Sequence, residues 1–402
     1  MNSRKILIFT IVIILFITIP SFLLIKDSHL IADEKVHYEQ ITFLIQGSNT
    51  LNPYLTTLPG YHTTIAILAS PFNSYPIPLI RTLSFLISLT SIIVFYFTAK
   101  EINKSSAELK TLQYAFLPIL FPLFFLIYTD VLSLLLVMLS FLLLLKNKHF
   151  LATLIGITSI TIRQTNIIWL GFIFLIPYIE KNGFKLKIKE IKNHIKKYWL
   201  FLIGFLLFAL FIMINKGVAI GDKGMHPLTL QLGNIYFSLF LFFFLFLPLN
   251  IKNLPKIIKL IKRNKSIIHN LLGLLIIFLF TFNLTHPYNQ EIYSFWLRNK
   301  ILLYFSSSLF LKIIFFIPIA YSILSLAVIK LHKKSFYLIY PITILFLLPS
   351  PLIEQRYYLI PLALFILTKK KNSNLVEYST ILIYMIISTI LFYGITNLKY
   401  FL

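Results

Sequence analysis

Apolar runs of about 17–25 residues, the length a helix needs to cross hydrocarbon, recur from end to end of this 402-residue chain. Inside lipid a backbone can satisfy its own polar groups only as helices or as a closed barrel. A barrel needs short segments of alternating polarity, and these runs are continuous. The sequence therefore predicts an all-α polytopic membrane protein, one domain over residues 1–402. No soluble domain, internal repeat or low-complexity linker interrupts it.

The first run, Ile6 to Ile25, follows Arg4-Lys5, as a secretory signal would. The residues after it, KDSHLIADE, offer no small-residue cleavage site, so a retained signal-anchor span is expected. The chain has no cysteine, which excludes disulfides, thiolate metal sites and cysteine nucleophiles.

The formal net charge is +24. Such a balance can mark a nucleic-acid partner, but the lysines sit in short loops between apolar runs, as the positive-inside rule requires. No nucleic acid is expected. The clusters are Arg4-Lys5, Lys100–Lys110, Lys146–Lys148, Lys181–Lys197, Lys252–Lys265, Lys330–Lys334 and Lys369–Lys371, together 26 of the 37 Lys and Arg. If each is cytoplasmic, the chain crosses an even number of times between neighbours. Thr111–Leu145, Phe150–Ile179 and Phe336–Leu367 then become hairpins, with apices at Tyr128–Asp130, Arg163–Asn166 and Glu354–Arg356. Some arms have only about 13 residues, roughly 20 Å, and need protein or a wet recess at their tips. Longer spans are expected near Ile77–Ala99, Tyr198–Ile214, Leu232–Leu249, Ile267–Leu284, Ser306–Ile329 and Ser379–Thr396. The total is about 13 crossings, with the N-terminus cytoplasmic and the C-terminus outside. Lys181–Lys197 and Lys252–Lys265 carry Ile and Leu at helical spacing and read as amphipathic surface helices facing anionic lipid.

This parity puts the unusual polar clusters on one non-cytoplasmic face. Eight of the 13 carboxylates fall there: Asp27, Asp33, Glu34, Glu39, Asp130, Asp222, Glu291 and Glu354. Ionisable groups at a membrane are costly and are functional candidates for that reason. Asp33-Glu34, in the first non-cytoplasmic loop (residues 26–78), is either a solvated pair opening a helix or a general base for a hydroxyl nucleophile. Arg163 opens RQTNIIW; a guanidinium there either caps a helix or grips a phosphate with paired donors. Gln164 and Asn166 suit hydroxyl-rich ligands. Glu354 and Arg356 either pair with each other or serve a ligand. The loops at 215–231 and 285–300 add Asp222, His226, His286, Trp296 and Arg298. His29, His37 and His62 lack metal-ligand spacing, and no Walker loop or GxGxxG occurs. Neither a metal nor another cofactor is expected. Carboxylates, arginines, histidines and aromatics on that face suit transfer from a phosphate-bearing lipid to a hydroxylated acceptor.

The motifs, in order, resemble a known family. They are DE-x-x-H (Asp33, Glu34, His37), TTLPG (Thr56–Gly60), Y-T-D (Tyr128–Asp130, where the family usually has Glu) and RQTNIIW (Arg163–Trp169). GD-x-x-x-H follows (Gly221, Asp222, His226), then HPY with Y-x-x-W-x-R (His286–Tyr288, Tyr293, Trp296, Arg298) and E-x-RYY-x-x-P (Glu354, Arg356–Tyr358, Pro361). The family is that of the eukaryotic endoplasmic-reticulum α-1,2-glucosyltransferases, which add the terminal glucose to dolichol-linked oligosaccharide. The resemblance runs from about Asp33 to Pro361.

The resemblance implies a GT-C glycosyltransferase fold, a dolichyl-phosphate-glucose donor, a lipid-linked oligosaccharide acceptor, inversion at the anomeric carbon and no metal. Carried onto this chain, it makes Asp33 the first choice for the base and Glu34 the second. Arg163, Arg298 and Arg356 would hold the departing phosphate. His37, Asp130, Gln164, Asn166, Asp222, His226, His286, Trp296 and Glu354 would position sugars. The chain departs from the family in its compact loops and lack of cysteine. The alternatives are another polyprenyl-phosphate hexose as donor, as in a mannosyltransferase, or a lipid-linked-sugar transporter without chemistry. The site would face the reticulum lumen in a eukaryote and the outside of the plasma membrane in a prokaryote.

Overall fold

The computed structural model describes residues 3–402, with side chains from Lys5 onward; the Arg4 side chain of the first basic cluster lies outside the described residues. Among these residues the chain is helical, without a β-strand. The first apolar run is one helix, α1 (Ser3–Ile25). The loop after it holds α2 (Glu34–Ile45) and α3 (Gly60–Ala69), which pack on each other. The long α4 (Ile77–Ile102) has Pro78 in its first turn, where no intrahelical donor is lost.

The next segment corrects an expectation. Thr111–Leu145 does not form two helical arms. α5 (Ala107–Ala115) ends before Pro118, and Pro122 sits in a short 3-10 turn at Phe121–Phe125. Proline removes a donor and clashes with the preceding turn. Every residue from 110 to 135 is buried, so this broken backbone is enclosed by protein, the one setting in which it is tolerated at membrane depth. Only the second arm is a full helix, α6 (Thr129–Leu145), and it starts at the expected apex.

The second hairpin forms as read: α7 (His149–Ile162) and α8 (Asn166–Asn182) turn at Arg163–Thr165. The basic stretch beyond is α9 (Ile188–Lys197), with no buried residue, bent 82° from α10 (Trp199–Asn215). The run expected at Leu232–Leu249 stops early. α11 (Gly233–Leu245) breaks by 97° into the lysine-rich α12 (Leu247–Arg263), whose first turn holds Pro248. Then come α13 (Ser266–Thr281), α14 (Leu297–Ser306), α15 (Leu309–Val328), α16 (Ile339–Leu347), α17 (Leu359–Thr368) and α18 (Asn374–Thr396).

Among the described residues four helices are long and apolar enough to span a membrane (α1, α4, α15, α18), or up to six if each bent pair counts as one span. Phe16, Leu24, Leu206, Ile214 and Phe280 stand exposed on helices whose opposite faces pack, as expected where the solvent is hydrocarbon. The chain is an integral membrane protein. Its core runs through α4 on α6, α6 on α7 and α11 on α15. At one end of these helices the loops carrying the polar motifs converge.

Candidate active site

Two adjacent carboxylates have opposite surroundings. Ala32 takes a left-handed turn (φ 52°) and Asp33 stands just before α2. Glu34 is fully buried. Its carboxylate accepts Arg81 Nε at 3.0 Å and Nη2 at 2.6 Å, together with the backbone N–H groups of Ile31 (2.8 Å) and Ile127 (2.9 Å). The remaining donors of Arg81 reach the carbonyls of Ile25, Ser28 and His29. Glu34 is thus a strut joining α2, α4 and the approach to α6. Asp33 is 40% exposed at its side chain, and its only side-chain partner among the described residues is Arg356 Nη2 at 3.0 Å. The Asp33 N–H donates to the Tyr128 hydroxyl at 3.0 Å.

Arg81 was not singled out in the sequence. The available sign was an arginine inside the apolar run of α4, which needs a partner. Breaking a buried pair leaves one charge uncompensated, at about 3–5 kcal/mol. Glu34→Gln and Arg81→Met are each expected to lower the unfolding temperature of the purified protein sharply. Near-native melting with lost activity in Glu34→Gln would instead put Glu34 in the chemistry.

From Asp33 a chain of charges runs inward. Arg356 also meets Glu354 Oε2 (3.3 Å), and Glu354 meets Arg298 Nη1 (3.0 Å). Arg298 lies 4.2 Å over the Trp296 ring and donates to the Leu402 carbonyl. Arg356 lies 5.2 Å over Tyr128 and 5.9 Å from Trp296. These faces attract a guanidinium and fix its plane. Beside them Arg163 Nη2 pairs with Asp130 Oδ1 (2.9 Å), and its Nε donates to Thr129 Oγ1. Arg163, Arg356, Asp130 and Tyr357 line one small cavity, with Leu359 and Phe346 as apolar wall.

Among the described residues several buried polar atoms here have no hydrogen-bond partner: Asp130 Oδ2, Arg298 Nε and both amide atoms of Gln355, while Arg356 Nε and Glu354 Oε1 face each other as an ion pair at 3.3 Å. Each such atom costs about 1–3 kcal/mol if left unsatisfied. Their concentration along one chain of charges is what a site built for a polar ligand would show. Gln355 was not among the expected residues.

Other expected residues are occupied by the scaffold. Gln164 Nε2 donates to the carbonyls of Thr56 (3.2 Å) and Val218 (3.1 Å). Asn166 is buried, donating to Ser133 Oγ and the Ser159 carbonyl, both at 2.8 Å. Gln164 pins two loops together, and Asn166 ties the start of α8 to α6 and α7. The loop carrying Asp222 lies on the first loop through Gly221 N–H to Leu55 O (2.8 Å) and Asp222 N–H to Pro53 O (3.1 Å). A Cβ at Gly221 would come within 2.6 Å of both carbonyl oxygens, so only glycine fits. Asp222 accepts the Tyr288 hydroxyl (2.8 Å) and lies 4.0 Å from His226. Burial, then Asp222, pushes the Tyr288 phenol up to about 12. His286 Nε2 donates to the Met225 carbonyl (2.6 Å) while Nδ1 accepts the Tyr288 N–H (3.1 Å), which defines its tautomer. Asp222 and His226 remain partly open; His286 is buried.

Asn234, at the start of α11, was also missed. It is buried, donates to the carbonyls of Ser350 and Leu352, and accepts the Glu354 N–H and the Tyr358 hydroxyl. It shapes the turn that presents Glu354 and Arg356.

His37 Nδ1 lies 3.0 Å from His62 Nε2, with both rings buried. Burial, then Arg356 and Arg163, lowers His37 from 6.5 to about 3; burial, then His37, lowers His62. Both are neutral near pH 7. Their folded values lie below the unfolded one, so between about pH 6.5 and 3 the unfolded chain binds more protons. Stability is expected to fall on acidification through that window, by up to about 1.4 kcal/mol per pH unit for His37. The slope of melting temperature between pH 7 and 5 should flatten in His37→Gln. An unchanged slope would remove the pair as its cause.

A model of the DIE2/ALG10 family matches residues 27–190 and 179–367. Several curated relatives carry the name Dol-P-Glc:Glc(2)Man(9)GlcNAc(2)-PP-Dol alpha-1,2-glucosyltransferase. That of Candida albicans is 32% identical over 285 residues, covering 65% of this chain and 62% of the relative. That of Drosophila melanogaster is 26% identical, covering 94% and 92%. One from Homo sapiens is 22% identical, covering 83% and 82%. The match spans less than two thirds of the Candida albicans relative, and also of the Debaryomyces hansenii one (64%). No solved structure matches.

Proposed function

The chain belongs to the DIE2/ALG10 family, and from that premise we propose that it is an inverting membrane glucosyltransferase. Its donor is dolichyl- or polyprenyl-phosphate glucose, its acceptor is a lipid-linked oligosaccharide, and the new bond is α-1,2. The names of the relatives support this donor, acceptor and linkage. The observation that carries the reading is the half-exposed Asp33 carboxylate held by Arg356, itself in the wall of a cavity shared with Arg163.

Asp33 is the base. It takes the proton of the acceptor hydroxyl as that oxygen attacks the sugar C1. The bond from C1 to the phosphate oxygen breaks on the opposite face, so one displacement inverts the centre. The electron pair leaves with the lipid phosphate. Arg163 and Arg356 stabilise that charge with donors already in place, the arrangement that costs least reorganisation during the step. Arg298 acts one position removed, holding Glu354 and through it Arg356. Asp130 offers its unpartnered Oδ2 to a sugar hydroxyl. Asp222, His226 and Trp296 serve the acceptor side, while Gln164, His37 and His286 hold the loops that form it and Asn166 ties α8 to α6 and α7. Glu34 is the strut.

In this reading the whole chain, residues 1–402, is one GT-C domain of about 13 crossings, with the short helices α7, α8, α16 and α17 reaching into a recess. The site lies on the non-cytoplasmic face, opposite the lysine-rich loops. The test is transfer of labelled glucose from polyprenyl-phosphate glucose to lipid-linked oligosaccharide by the reconstituted protein. A product one hexose longer supports the reading. Translocation with no new glycosidic bond would overturn it in favour of a transporter.

A further inference from the structure

α6 runs from Thr129 in the site to Leu145, about 24 Å at ~1.5 Å per residue. At that far end a second, partly open cavity lies among the α6–α7 turn, α8, the start of α10 and the loop before α16. Its polar wall is Asn147, His149, Glu180, Tyr198 and Lys333. Nothing in the proposed reaction uses these residues.

The wall has spare hydrogen-bonding capacity; its own charges, Glu180 and Lys333, cancel, and the surplus positive charge comes from the lysines around it. Tyr198 is only 6% exposed. Its ring is fixed against His149 (centroids 4.9 Å) and His194 (4.6 Å), yet among the described residues no protein group bonds its hydroxyl. His149 Nδ1 is buried without a partner. Lys333 Nζ is held at 2.8 Å by Glu180, which also accepts Ser335 Oγ. Lys197 Nζ lies 5.2 Å over the Tyr198 ring. Glu180 balances one of these two lysines. Lys146 and Lys148 flank the cavity in the turn, and the exposed α9, which leads into Tyr198, carries Lys189, Lys192 and Lys196.

Below this polar cup the surface is apolar and open. Phe150 and Leu154 on α7 and Trp199 and Leu202 on α10 are exposed where these two helices pack together. A polar cup with surplus lysines around it, above an apolar groove, has the two-part chemistry of a phospholipid with an anionic headgroup. A free anion would leave the groove bare, and a choline headgroup would set a cation against the lysines.

We propose that this cavity binds the headgroup of an anionic phospholipid. Its phosphate meets Lys333, Lys197 and the Tyr198 hydroxyl, and its acyl chains lie along α7 and α10. Juxtamembrane lysines attract anionic lipid at a range set by the Debye length. A hydroxyl on a ring fixed by stacking and an orphaned imidazole nitrogen add a fixed geometry that a diffuse basic patch lacks.

The experiment uses the full chain in nanodiscs, with bound lipids counted by native mass spectrometry. Phosphatidylinositol, phosphatidylcholine and inorganic phosphate are titrated separately. Phosphatidylinositol should bind at one saturable site in preference to phosphatidylcholine. Lys333→Gln should weaken it by about fivefold, the worth of one lysine at a membrane surface. Tyr198→Phe, which keeps the ring stacking, should also weaken it, and Lys262→Gln on α12 should not. Equal binding of the two lipids, or no loss in Tyr198→Phe and Lys333→Gln, would overturn the proposal. So would displacement of the lipid by millimolar inorganic phosphate, which would mark a simple anion site. Because glucose transfer is scored separately, failure here leaves the proposed activity untouched, and the reverse also holds.

Discussion

Asp33→Asn is expected to cut the rate of glucose transfer by about 10²–10⁴ while the protein melts close to wild type. The asparagine carbonyl can still accept the Arg356 Nη2 bond that the carboxylate accepts at 3.0 Å, so the guanidinium keeps its place. What disappears is the proton acceptor. Asp33 is 40% exposed, and losing a partly solvated pair changes stability by about 0–1 kcal/mol. Glu34→Gln has the reverse signature. Four protein donors converge on Glu34, leaving no room for an acceptor hydroxyl, so its loss should appear first in the melting temperature. The two neighbours are therefore separable by measuring rate and unfolding on the same preparations. Full activity in Asp33→Asn would remove it as base. A well-folded, inactive Glu34→Gln would transfer the role to its neighbour.

That separation was out of reach in the sequence, where Asp33-Glu34 is simply an acidic pair. The sequence carries periodicity and charge sign, and those located the apices at Tyr128–Asp130, Arg163–Asn166 and Glu354–Arg356, which do converge. It does not carry which of two adjacent side chains turns inward. That was decided by Arg81, 47 positions away, whose partner only the packing of α2 against α4 reveals. Asn234 and Gln355 were missed for a related reason. A single amide beside an apolar run looks like an interfacial residue until its bonds, or their absence, are seen. The broken segment before α6 carries its warning in Pro118 and Pro122. Hydropathy alone passed over it, because buried irregular backbone is as apolar as a span.

Removing the Arg163 guanidinium should reach the chemical step most directly. Arg163→Ala is expected to lower single-turnover kcat by about 10²–10³, the usual cost of losing one preorganised donor to a developing anion. The change in KM should be smaller, because the donor's phosphate gains charge as the bond to C1 breaks and the guanidinium matters most then. Arg163→Lys should recover part of the rate. It restores a point charge but not the planar pair of donors, one of which now meets Asp130 Oδ1 at 2.9 Å. Arg356→Ala is a less clean probe, since it also releases Asp33 and Glu354. The control for Arg163 is Asp130→Asn, which keeps an acceptor oxygen for the guanidinium and should cost less rate than Arg163→Ala. If Arg163→Ala instead raises KM alone, Arg163 binds ground state and transition state equally. Stabilisation of the leaving phosphate then falls to Arg356, the other arginine of the cavity.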